Sequence, residues 1–143
     1  MKANFTQRKM RALAKTLNVD YSEIKEEAKD IFSVGNQEYL VLTDEEADEK
    51  AKENIEDSLW ASNACFVIDH MKETPDNWEL TEKAIQELQS KLCESANPII
   101  KSMIENLEKF VSDAISVDGR GHFLASYDGY EIEESGYYIY RIN

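Results

Sequence analysis

Residues 118–143 read DGRGHFLASYDGYEIEESGYYIYRIN, and the composition of the chain changes there. Tyr127, Tyr130, Tyr137, Tyr138 and Tyr140 fall in this stretch, out of seven tyrosines in all, with Gly119, Gly121, Gly129 and Gly136 out of five glycines. Glycine-punctuated aromatic runs read as strands joined by tight turns. The spacing predicts strands over 122–126 and 137–142, with a turn at Tyr127-Asp128-Gly129. Residues 131–136 read either as a short strand with its own turn or as a longer loop. A hairpin alone is marginal in water, so this one needs a further strand and a helical layer. The third strand is expected at EYLVL, residues 38–42, which is apolar and β-branched at its centre.

Most of the chain before this segment carries helical periodicity. Met10, Leu13, Ala14 and Leu17 mark one face of a helix over 5–17, with Asn18 as its stop. Asp20 and Glu23 have capping-box spacing, and Tyr21, Ile24, Ala28 and Ile31 suggest a second helix after them. Together these outline a helical hairpin. A DNA-reading helix-turn-helix is disfavoured, because the second segment holds Asp20, Glu23, Glu26, Glu27 and Asp30 against Lys25 and Lys29. Gly35-Asn36 reads as a turn. Thr43 and Glu46 form a second capping box, opening a helix expected to reach Trp60 with Ala47, Ala51, Ile55 and Leu59 inward. ACFVI, residues 64–68, is apolar all round and fits a buried helix or a buried strand equally. A loop holds Glu73 to Asn77. A helix over 79–94 is expected to bury Leu80, Ala84, Ile85, Leu88 and Leu92. Pro98 after Asn97 opens another, whose stripe runs from Ile100 through Leu107 and Phe110 to Ile115.

These elements make a single α+β domain over 1–143: about five helices packed on a small three-stranded antiparallel sheet formed by 38–42 and the C-terminal hairpin. The length suits one ordinary core. No apolar run approaches the roughly 18 residues of a membrane span. The basic N-terminus has no apolar stretch behind it, so no secretory signal is expected and the cytoplasm is the expected compartment. Cys65 and Cys93 lack metal-ligand spacing and are expected as reduced, packed thiols.

The net charge is −13. Residues 1–18 hold Lys2, Arg8, Lys9, Arg11 and Lys15 without an acid, so the rest of the chain carries −18. Such a body repels nucleic acid and anionic membranes and favours basic protein surfaces. Between 44 and 57 there are eight acids and two lysines. Glu45, Glu49, Glu53 and Glu56 recur at helical spacing and form an exposed acidic row, flanked by Asp48 and Asp57.

No phosphate loop, paired-cysteine metal site or nucleophile elbow is present, and no cofactor or metal is implied. Asp44, Glu45, Asp48 and Glu49 are weak metal candidates, because a straight helix fans its carboxylates outward. Arg120, His122, Tyr127 and Asp128 are the best acid–base constellation, and a small hydrolase or nuclease would use Arg120 and His122. Turn and pairing roles explain the same residues more simply. His70 has no obvious partner.

Two stretches, EYLVLTDEEADEKAKENIEDSLWASNACF (Glu38 to Phe66) and the terminal segment quoted above, resemble small proteins encoded by bacteriophages and other mobile elements of bacteria. The resemblance covers somewhat over a third of the chain and carries no catalytic residues. It implies a bacterial host cytoplasm. Joined to the acidity, it implies a non-enzymatic inhibitor of a host nucleic-acid-binding defence complex, of anti-CRISPR or anti-restriction type. The expected contact residues are Glu45, Asp48, Glu49, Glu53, Glu56 and Asp57. The expected partner is a basic surface of the host protein, with no direct contact to nucleic acid or membrane. A phage structural or housekeeping protein is the remaining alternative.

Overall fold

The computed structural model describes residues 2–143; Met1 and the side chains of residues 2–4, Lys2 among them, lie outside the described residues. The fold is α+β and contains a five-stranded antiparallel sheet. It divides into two compact units, one made of residues up to Ala51 with Asp118–Asn143, the other of Lys52–Val117.

The first unit opens with helix α1, Lys2–Leu17. Asn18, at φ 54°, ends it in the left-handed region, and its N–H donates to the Lys15 carbonyl at 3.3 Å. The expected second helix is absent. Asp20 and Glu23 do form their capping box, but around one 3-10 turn, Tyr21–Glu23. The chain then enters strand β1, Ile24–Ala28, turns through Asp30 at φ 63°, and returns as β2, Ile31–Val34. The helical hairpin, and with it any helix-turn-helix, is therefore corrected to a β-hairpin. Tertiary pairing outweighs the helical spacing of Ile24, Ala28 and Ile31: β2 pairs in register with the next strand from Ile31↔Leu40 to Val34↔Gln37.

That strand, β3 (Gln37–Leu42), contains the EYLVL run and follows the expected turn at Gly35. β4, Ile132–Glu134, and β5, Tyr137–Arg141, form the C-terminal hairpin. β3 pairs with β5 from Tyr39↔Arg141 to Leu42↔Tyr138, giving the order β1-β2-β3-β5-β4. The sheet thus has five strands, not three. Its β3 is buried on both faces, which is why the sequence there is continuously apolar instead of alternating. Phe32, Tyr39, Val41 and Ile139 pack with Leu13 and Ala14 of α1. On the other face Leu40 and Leu42 stand opposite Tyr140 and Tyr138, with Leu40, Leu42 and Tyr140 buried.

HFLAS is not a strand. Residues Arg120–Leu124 form a short helix, here α7, the last of the chain. It closes onto the Gly129 turn, whose N–H donates to the Ala125 carbonyl at 2.7 Å.

Helix α2, Asp44–Asp57, runs from the first unit into the second. Thr43 and Glu46 cap it reciprocally, at 2.8 and 3.2 Å. It ends before Trp60, and Leu59–Ala61 make a 3-10 turn instead. Ala47, Ala51, Ile55 and Leu59 are buried, as their spacing predicts.

In the second unit, ACFVI becomes helix α3, Ala64–Asp69, capped by the Asn63 side chain. Helix α4 covers Trp78–Leu92, but of its expected inner face only Ile85 is fully buried; Leu80 and Leu92 are 63% and 43% exposed. The long stripe after Pro98 is broken into α5, Asn97–Met103, and α6, Leu107–Asp118. Asn97 lies inside α5, not at its cap. Its amide spans Asp57 and Trp60 instead, donating to the Asp57 carbonyl at 2.6 Å and accepting from the Trp60 N–H at 2.8 Å. Between the two helices Ile104 is extended and bridges Met71, and Asn106 accepts from the Lys109 N–H at 3.1 Å to restart the helix. Leu107 is consequently a first-turn, half-buried residue. Leu107→Ala should cost only about 1–2 kcal/mol in chemical denaturation, below the range for a fully buried leucine.

Cys65 is half-buried and Cys93 is exposed, so Cys93 is not packed as expected; both are free.

Candidate functional site

The exposed face of α2 follows from its buried one. At about 100° per residue, the direction opposite Ala47, Ala51 and Ile55 is taken by Glu45, Glu49, Glu53 and Glu56, with Asp57 at the margin. Glu45, Asp48, Glu49, Glu53 and Asp57 are exposed, and Glu56 is half-buried. Two of the six expected contact residues already have partners. Asp48 accepts from Arg120 at 3.0 Å, and Glu56 lies 3.9 Å from Lys101. Among the described residues no base lies within ion-pair distance of Glu45, Glu49, Glu53 or Asp57, which leaves four outward carboxylates along one helix.

Arg120 is the electrostatic hub of the first unit. Its guanidinium is largely buried, with the side chain 11% exposed, and donates to Glu131 at 2.8 Å, Asp44 at 2.8 Å and Asp48 at 3.0 Å. It also lies 4.6 Å from the ring centre of Tyr138. Burial works against its charge, but hydrogen bonds to Glu131 and Asp44 outweigh it and hold the group above its ordinary range. Glu131 in addition accepts from the buried Tyr140 hydroxyl. That phenol is pushed up by burial first and by the neighbouring carboxylate second. Asp44 and Asp48 do converge, but on a guanidinium.

The acid–base constellation does not come together. Arg120 is spent on three carboxylates. His122 is exposed on α7 and stacks edge-on with its neighbour Phe123. Asp128 accepts from the Tyr130 N–H at 3.0 Å and shapes its own turn. Tyr127 lies under the Arg141 guanidinium, 3.6 Å from its ring centre.

Two polar residues have roles that the periodicity hid. Lys9 falls on the basic helix yet is only 4% exposed, and it binds Asp30 at 2.6 Å and Glu46 at 2.8 Å. Burial opposes its charge, while the two carboxylates outweigh burial and raise its pKa; Glu46 is correspondingly held below its ordinary value, mainly by Lys9 acting against burial. His70 has two partners, Asp113 at 2.7 Å and the Phe66 carbonyl at 2.8 Å. It packs against the Phe66 and Phe110 rings. Asp113 also accepts from Lys109 at 2.7 Å and is held below its ordinary value, by Lys109 first and His70 second. The position of Lys9 next to Met10 and Leu13 gives little sign of burial, and residue 113 is too far from 70 for the pair to show in sequence.

Among the described residues no cluster of histidines, cysteines and carboxylates could hold a metal ion, and no helix is long and apolar enough to cross a membrane. Compared with known proteins, the chain matches no family model, no curated protein and no solved structure.

Proposed function

We propose that the protein is a non-enzymatic binding protein of mobile-element origin, which blocks a nucleic-acid-binding host defence complex through the acidic face of α2. The observation that carries this reading is the row Glu45, Glu49, Glu53 and Asp57, exposed and without an internal cationic partner among the described residues. Carboxylates four apart rise about 6 Å along a helix axis. Phosphates of one strand rise about 3.4 Å per nucleotide, so alternate phosphates match this spacing. Arginines and lysines that hold a nucleic-acid backbone would meet these carboxylates in its place. Each exposed pair is individually weak, so binding comes from several charges acting together. The net charge of −13 adds long-range attraction toward a basic partner. The engagement of Arg120 by its own carboxylates favours this reading over a hydrolase.

The test uses Glu45→Gln, Glu49→Gln, Glu53→Gln and Asp57→Asn together. Glu56 and Asp48 are left intact because they have partners within the fold. The four changed side chains face solvent, so melting behaviour should be unaffected. Wild-type protein should capture a nucleic-acid-binding protein from host lysate, and nucleic acid should compete for it. The quadruple variant should lose that capture. Equal capture of the same partner by both proteins at low salt would make α2 ordinary solvated surface.

A further inference from the structure

The basic N-terminal segment is not used by the acidic-face reading, and the fold divides its charges. Lys9 turns into the protein to meet Asp30 and Glu46. Arg8, Arg11 and Lys15 stay outside, and the i, i+3, i+7 spacing puts them on one face of α1. Beside them the β4–β5 hairpin turns at Ser135 and Gly136, both with positive φ. Between α1 and this turn lies a groove of about 350 Å³, lined by Arg8, Arg11, Ala12, Lys15, Ser135 and Tyr137. Small-ligand sites begin at about this size.

We propose that this groove binds a compact polyphosphate anion, either free or as the phosphate chain of a nucleotide. Two guanidiniums and an ammonium line a groove in a protein of net charge −13. Among the described residues neither arginine has a carboxylate within ion-pair distance. Planar guanidiniums match phosphate oxygens in paired hydrogen bonds. Arg11 and Lys15 rise about 4.5 and 10.5 Å beyond Arg8 along the helix, so a chain of phosphates meets more of the three cations at once than a single phosphate does. A chain of two or three phosphates spans them. A long nucleic acid is disfavoured, because it would extend from this local patch into the field of an acidic protein. One acid guards the groove. Glu134 lies 3.4 Å from Lys15 and accepts from the Ser135 hydroxyl at 3.1 Å. An entering anion takes Lys15 from it, so Glu134 opposes binding.

Calorimetric titration of the full chain at about 0.15 M salt, where charges further apart than about 8 Å are screened, tests the site. The probes are orthophosphate, pyrophosphate, tripolyphosphate and ATP. Affinity should rise in the order orthophosphate, pyrophosphate, tripolyphosphate. Arg8→Gln and Arg11→Gln should each weaken tripolyphosphate about tenfold, the scale of a charged hydrogen bond. Glu134→Gln should tighten it. ATP binding more tightly than tripolyphosphate identifies a nucleotide site, and equal binding identifies a site for the phosphate chain alone. The proposal is overturned if tripolyphosphate binds no more tightly than orthophosphate, or if Arg11→Gln has no effect. It is equally overturned if a single-stranded oligonucleotide outcompetes tripolyphosphate at these residues. The exposed positions of Arg8 and Arg11 keep a loss of binding separate from a loss of fold.

Discussion

Lys9→Ala is expected to destabilise the protein by about 3 kcal/mol, near the lower end of the range for breaking a buried ion pair. The ammonium sits between Asp30, whose side chain is 15% exposed, and Glu46, at 38%. Removing it leaves one nearly buried carboxylate without its cation, while water compensates Glu46 in part. Three elements are affected at once. Lys9 belongs to α1, Asp30 turns β1 into β2, and Glu46 caps α2 through the Thr43 N–H at 2.8 Å. Urea denaturation of wild type and variant at neutral pH measures the difference, and a loss under about half a kcal/mol would show the triad to be peripheral. The pH dependence has a definite sign. Glu46 titrates below its ordinary value of 4.5 in the folded protein. Its contribution is therefore complete above that value and is lost as pH falls through the lower folded pKa. Lys9 titrates above 10.5, so its contribution is complete below that value and is lost only as pH rises through the folded pKa. The difference between wild type and Lys9→Ala should thus be largest between these limits and shrink in acid.

Gly121→Ala should be as damaging, although alanine is intrinsically about 1 kcal/mol better than glycine inside a helix. A Cβ at residue 121 would meet the Gly129 carbonyl oxygen at 2.4 Å, with the Glu131 nitrogen and the Tyr130 carbonyl carbon each at 3.0 Å. All three are backbone atoms, so no side chain can swing aside. Either α7 or the turn before β4 must shift. That displaces Arg120 from Glu131, and the Tyr140 hydroxyl from the same carboxylate. Overpacking of this kind costs about 1–3 kcal/mol, and the coupled loss of the Arg120 contacts places the expected value at about 3 kcal/mol. The melting temperature should fall by several degrees, and the Gly129→Ala variant separates the causes: its neighbourhood is open, and only its φ of 76° is strained. If Gly121→Ala instead raised the melting temperature, helix propensity would outweigh the close approach.

The acidic face of α2 was legible because a capping box, a run of helix formers and a repeat of buried alanines agree on one helix and one orientation. Glu45, Glu49, Glu53 and Asp57 need nothing else in the molecule to face water, whereas Glu56, expected in the exposed row, is half-buried beside Lys101. Asp48 could not be assigned the same way, because its partner Arg120 lies 72 positions along the chain. Arg120 illustrates the same limit from the other side. Next to His122 it suggests catalysis, whereas folding surrounds it with Asp44, Asp48 and Glu131.

By itself the sequence determined the α1 and α2 helices, the β3 and β5 strands, the turns at Gly35 and Gly129, and the acidic balance. Each rests on a local signal: a cap, a period, a glycine or a run of β-branched residues. Only the tertiary structure decided that Ile24–Val34 is a hairpin, that Arg120–Leu124 is a helix, and that the stripe after Pro98 breaks at Ile104. Short segments satisfy helical and strand patterns equally, so long-range pairing chooses between them. In β1 the choice is made by backbone hydrogen bonds to β2, in β2 by those to β3, and at Ile104 by its bridge to Met71. It likewise decided that Lys9 points inward and Arg8, Arg11 and Lys15 outward, because an ion's place depends on where distant counter-charges fold.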